Sequence, residues 1–157
     1  MAVHKLQIDD FISTDYELIA IHCSVEDYRL AYFLNRALAL QLYKNRISIE
    51  LRNKNGKSCF EHFMYDDEKN DVCWHLVSNK SVIDATANNA VGLFENITST
   101  SYLVPEFKTA DYILKIENVD TIFNLKKTIT QIKKIPFIPL VYKIEQDKLK
   151  SKNNLIF

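Results

Sequence analysis

The sequence predicts an α+β fold: a largely antiparallel sheet with two long helices packed on one face and a C-terminal β-α-β unit. Three observations predict it. Short apolar runs suited to strands recur along the 157 residues, two stretches carry apolar residues at helical spacing, and the second of these is flanked by strand-like runs. A chain of this length makes one domain, residues 1–157 with 148–157 as a C-terminal tail. Burial of roughly 68–70% of the unfolded surface supports a single core.

Residues 5–8 and 18–22 are short and apolar enough for strands, the second resembling a buried central one. A helix over 25–44 follows, about 30 Å long at 1.5 Å per residue. Ser24 is its expected N-cap, answered by Asp27, with Cys23 against Tyr28 as a hydrophobic staple. Leu30, Ala31, Leu34, Ala37, Leu38 and Leu42 form an apolar stripe that Tyr28, Tyr32, Ala39 and Tyr43 widen. Such a face covers a sheet or, where exposed, meets a second chain.

Asn55-Gly56 announces a hairpin, since both central residues of a type I′ turn need positive φ. With those two as the loop, Leu51 faces Phe60, Ile49 faces His62, Ile47 faces Met64, and Glu50 sits opposite Glu61. The two carboxylates then lie in water beside Arg52 or Lys57, or share a cation. Residues 66–71 make a polar turn into a strand at 72–78. Periodicity weakens over 80–100, where a loop with a short helical piece at 82–90 is expected. A strand at 111–117 leads to a second helix capped by Asn118 or Asp120, with Ile122, Leu125, Ile129 and Ile132 on one side and Lys126, Lys127, Lys133 and Lys134 on the other. Pro136 and Pro139 stop it before a last strand at 140–144, parallel to the first.

Composition narrows the function. Twenty basic and twenty acidic residues sum to zero charge, so neither nucleic acid nor an anionic membrane is expected as a partner. Three cysteines without paired spacing, and a start that lacks the apolar run of a signal peptide, point to the cytoplasm. Only two glycines, Gly56 and Gly92, are present. That excludes a Walker loop or a Gly-x-Gly-x-x-Gly turn, and no cofactor is expected. Cys73 and His75 share a strand face, and His22, Cys23, Cys59 and His62 lie on or beside neighbouring candidate strands. A zinc site can be drawn from them, but without Cys-x-x-Cys or His-x₃₋₅-His spacing the expectation is satisfied histidines, inert thiols and no metal.

The remaining candidate is the polar step at 104–112. Pro105 ends one strand, and Glu106, Lys108, Asp111 and Tyr112 cluster before the next. Val104-Pro105-Glu106, three residues, then Ala110-Asp111-Tyr112 resembles the signature of the bacterial IPExxxVDY family. Val104 replaces its isoleucine, Ala110 replaces its valine, and the likeness extends over nearly the whole chain. The resemblance implies a role for Pro105, Glu106, Asp111 and Tyr112 but names no activity. Glu106 can accept backbone hydrogen bonds in the turn, Asp111 can close the strand and Tyr112 can pack with its hydroxyl satisfied. The first expectation is therefore a non-catalytic cytoplasmic domain acting through contacts with another protein or a second copy of itself, as a homodimer. The alternative is a small-molecule-binding regulatory domain or small enzyme with its site at Glu106, Asp111 and Tyr112.

Overall fold

The computed structural model describes residues 16–53, 56–83 and 99–157. The expected strand at 5–8, Asn55 of the expected turn and residues 84–90 of the expected helical piece lie outside them. In chain order the elements are β1 (Tyr16–His22), α1 (Asp27–Leu38), β2 (Tyr43–Lys44), β3 (Ile49–Asn53), β4 (Gly56–Phe60), β5 (His62–Asp67), β6 (Val72–Ser78), β7 (Lys80–Ile83), β8 (Ser99–Tyr102), β9 (Tyr112–Glu117), α2 (Leu125–Lys133) and β10 (Leu140–Ile144).

Six strands form one antiparallel sheet in the order β10-β1-β9-β6-β5-β2, and β3-β4 and β7-β8 pair as separate hairpins. β9 and β10 do not pair with each other, because β1 lies between them and runs antiparallel to both. β9 sits near the centre, and every residue of it except Glu117 is buried. Alternation of side chains then gives the sheet two faces. Ile19, Ile21, Trp74, Leu76, Leu114 and Ile116 pack with Leu30, Ala31 and Leu34 of α1 and Ile132 of α2. Leu18, Ala20, Val77 and Ile113 pack instead with Ile49 and Phe60 of the first hairpin, Leu103, Val104 and Ala110, and Leu149 and Leu155 of the tail. Fully burying each such Leu, Ile or Val contributes about 1.5–3 kcal/mol. The face away from the helices is thus covered by the chain's own segments.

α1 is shorter than its apolar stripe suggests and ends at Leu38, not at residue 44. Ala39 adopts φ 55 and ψ 42, and the Asn35 carboxamide then takes both sides of Leu42, accepting from its N–H at 2.8 Å and donating to its carbonyl at 3.1 Å. That bidentate grip makes the chain leave the helix toward β2. Leu42 still reaches the core from beyond the helix, whereas Tyr28, Tyr32 and Tyr43 face solvent. Ser24 does not cap α1: the N-cap is Glu26, without a side-chain cap bond, and exposed Tyr28 makes no staple. α2 begins at Leu125, one residue after its actual cap Asn124, whose Oδ1 accepts from Lys127 N at 2.9 Å. Asp120 holds the preceding turn instead, accepting from Ile122 and Phe123 N–H, so Ile122 stays exposed.

The first hairpin forms two residues out of the expected register, with Asn53 opposite Gly56, Ile49 opposite Phe60 and Leu51 opposite Ser58. A shift by two keeps every side chain on its face, which is why apolar patterning alone does not separate the two pairings. Glu50 thereby lies across from Cys59 and not Glu61, and it forms an ion pair with Lys57 at 2.5 Å. Glu61 pairs with Lys44 at 2.8 Å. His62 and Met64 belong to β5, which pairs with β6 and β2. Val82 lies in β7, a strand paired with β8, so no helix starts there.

Ala39 occupies a left-handed conformation that costs a residue with a Cβ roughly 1–2 kcal/mol. Ala39→Gly should therefore raise stability by about 1 kcal/mol, seen as a higher urea midpoint with an unchanged slope.

Candidate functional site

The corner at 104–112 is built around a residue from outside it. Asn79, fully buried between β6 and β7, donates from Nδ2 to the carbonyls of Phe107 (2.8 Å) and Ala110 (3.0 Å) and accepts at Oδ1 from Val104 N–H (2.8 Å). Its backbone adds bonds to Leu103 and Asp111. Pro105 opens the 3₁₀ turn Pro105–Phe107 at a position where its missing N–H costs nothing.

The other motif residues then point in three directions. Glu106 accepts from Lys150 N–H at 2.5 Å and Ser151 N–H at 2.8 Å through Oε1, and from Ser151 Oγ at 2.7 Å through Oε2, which fastens the tail. Desolvation alone would raise the pKa of this carboxyl, but the hydrogen bonds from Ser151 and from the backbone of 106, 150 and 151 outweigh it and hold the pKa below the usual range. Asp111 accepts from Cys23 N–H at 2.9 Å and pairs with Lys80 at 2.7 Å. Tyr112 donates its hydroxyl to Val25 O at 2.8 Å, and burial pushes its pKa up. Asp111 and Tyr112 thus pin the link between β1 and α1. Glu106 and Asp111 do not meet across a cleft.

A second polar cluster lies on the tail-covered face, and there the structure joins residues that are far apart in the chain. His62 Nε2 and His75 Nδ1 share a hydrogen bond of 2.9 Å, their rings stacked with centroids 5.2 Å apart. Cys73 lies directly across from Glu117, and His75 across from Lys115, on paired β6 and β9. Lys115 is only 4% exposed. Its ammonium donates to Leu155 O at 2.6 Å, pairs with Glu117 Oε1, and lies over the rings of Phe157 (4.7 Å) and Tyr16 (5.2 Å). Phe157 also stands edge-on to both imidazoles.

Desolvation, with the charges of His75 and Lys115, pushes His62 down to about 4, and burial lowers His75 although Glu117 acts against it. Desolvation raises Cys73, reinforced by Asp66 and Glu117. It acts in the same sense on Glu117, but the Lys115 hydrogen bond and charge prevail and keep that carboxyl low. Of the ligand candidates that the sequence offers, Cys73, His75 and His62 come together. His22 bonds to Tyr142, Cys23 is buried in the helix-side core and Cys59 is exposed. Glu117 and Lys115 were missed by sequence reasoning, although their odd-numbered positions in an otherwise apolar strand mark them as facing the same way as Ile113.

Two shallow grooves among the described residues lie elsewhere. One, of about 460 Å³, lies between the helices along Phe33, Arg36, Gln131 and Ile135, and the other, of about 410 Å³, beside Glu17, Lys143 and residues 121–126. No helix among the described residues is long and apolar enough to cross a membrane. Compared with protein families, curated proteins and solved structures, the chain matches none.

Two outcomes follow from the corner. Asn79→Ala leaves the Ala110 carbonyl and the Val104 amide without their partner and takes from Phe107 O one of its two hydrogen bonds, and should lower unfolding stability by about 3 kcal/mol in urea denaturation. Because the Glu106 pKa is depressed in the folded chain, its contribution is present above the unfolded value of about 4.3 and is lost as pH falls through the lower folded value. Glu106→Gln should therefore melt below the parent at pH 7, with the difference closing under acid; a gap that stays constant would show that ionisation of Glu106 plays no part.

Proposed function

We propose that this chain is a non-catalytic cytoplasmic interaction domain of the IPExxxVDY type, whose motif is a structural corner and whose α1 face meets another protein. The observation that carries the reading is where the motif's polar atoms go. Glu106, Asp111 and Tyr112 each bond to backbone elsewhere in the same chain, with Ser151 Oγ and Lys80 as the additional partners. The residues of the signature then hold the tail and the start of α1, and 111–144 acts as a strand-helix-strand unit into which β1 inserts.

The contact surface in this proposal is the outer side of α1. Tyr28, Tyr32 and Arg36 recur every four residues, so they form one stripe along the helix. Tyr28 is 64% and Tyr32 55% exposed, and the Arg36 guanidinium lies 5.9 Å from the Tyr32 ring centre. Tyrosine and arginine are the residues that interfaces concentrate, because they offer broad contact with few torsions to freeze. The groove along Phe33 and Arg36 adjoins the stripe. Zero net charge places no repulsion between two copies, which makes a homodimer the first form of the interaction to test. A small-molecule site or small enzyme centred on Glu106, Asp111 and Tyr112 is less well supported, since those groups line neither of the two grooves.

Sedimentation equilibrium of the wild-type chain should reveal self-association, or co-purification should reveal a bound protein. The double substitution Tyr28→Ala and Tyr32→Ala should abolish it with little change in melting temperature, since both side chains lie in water in the free chain. Association that survives the double substitution would remove α1 as the contact surface.

A further inference from the structure

We infer that Cys73, His75 and Glu117 form a binding site for one zinc-class divalent ion, at the end of the β6-β9 pair. Cys73 Sγ, a ring nitrogen of His75 and a carboxylate oxygen of Glu117 all lie within 4.8 Å of one another. In a tetrahedral site with bonds of 2.0–2.3 Å the ligand atoms stand about 3.3–3.8 Å apart, so rotamer adjustment of about 1 Å closes the set. Pairing makes this geometry natural. Cys73 and Glu117 are opposite each other, and His75 is the next residue on the same face.

Independent of proximity, His75 carries an unmet bonding capacity aimed into the cluster. Its Nε2 is buried and makes no hydrogen bond, although Glu117 Oε2 lies 3.5 Å away. Buried polar atoms without partners are few in a folded chain, and an unfilled ligand position is one explanation for them. His75 itself is 4% exposed, while Cys73 and Glu117 are half-buried, so the set is closed behind and open toward solvent. An ion can enter from that side and keep a water as fourth ligand.

The surroundings supply the outer support that metal ligands use. Lys115 occupies Glu117 Oε1 and leaves Oε2 to the ion. His62 faces His75 Nδ1, so a proton on that nitrogen can be donated to His62 and free Nε2 for coordination. His62 Nδ1 then carries a proton toward the Asn45 carboxamide 3.3 Å away, whose oxygen must turn to accept it. Lys115 opposes a second cation, but the carboxylates of Glu117 and of Asp66, paired across from Cys73, outnumber it before the thiol ionises. One sulfur, one imidazole and one carboxylate suit zinc or cobalt(II), whereas magnesium and calcium require oxygen. On binding, the thiol proton leaves to solvent and the thiolate sulfur donates to the ion, with no change of oxidation state.

The test uses the full chain stripped of metal by chelator and titrated with Co²⁺ and Zn²⁺. One ion per chain is expected, with a thiolate-to-cobalt absorption band that zinc displaces. Cys73→Ser should abolish the band with far-ultraviolet circular dichroism unchanged, and Glu117→Gln, compared at a temperature where circular dichroism shows it folded, should weaken binding by at least about tenfold. Absence of stoichiometric binding overturns the inference, and so does a band that persists in Cys73→Ser, which would place the ion on another thiol.

Discussion

The carboxamide of Asn79 is the constraint on which the tail-side half of the molecule depends. It sits at the end of a central strand, fully buried, and satisfies three backbone groups of a corner that makes no regular ladder of its own. Buried backbone must be paired, and a turn that bends over a sheet has few ways to do so. Held there, the corner aims Glu106 at the tail and places Asp111 and Tyr112 against the β1–α1 link. The tail then carries Leu155 and Phe157 over the sheet.

What the tail covers explains why it is there. Lys115 is a cation in the middle of a β-strand, and a buried charge is tolerated only when paired and hydrogen-bonded. Glu117 gives the pair, Leu155 O the hydrogen bond, and the faces of Tyr16 and Phe157 the remaining stabilisation. Without residues 149–157 folded back, this part of the sheet would present two imidazoles, an ammonium and several leucine and isoleucine side chains to water together. The same motif that shapes the corner thus closes the second core.

These relations divide the chain into a half that is used up and a half that is not. On the motif side the buried side-chain polar atoms among the described residues have partners within the molecule, with Ser58 Oγ and His75 Nε2 as the exceptions. On the helix side α1 turns a tyrosine and arginine stripe outward while its leucines face inward. The proposed protein contact at α1 and the inferred ion site at Cys73, His75 and Glu117 lie on separate surfaces, so neither proposal depends on the other.

Residue patterning by itself determined the mixed class, the strands Val72–Ser78 and Leu140–Ile144 and the inward stripe of α1, because alternation and helical spacing are local properties of side chains against a core. It also marked the Pro105 corner as a place where two strands are separated. Tertiary structure decided the rest. α1 ends early because Asn35 finds Leu42, the hairpin takes one of two registers that bury the same face, and Asn79 reaches a corner 25 to 31 residues away. Cys73, His75, Lys115 and Glu117 become neighbours only when β6 pairs with β9, since a strand's alternation tells which face a residue takes but not which strand lies beside it.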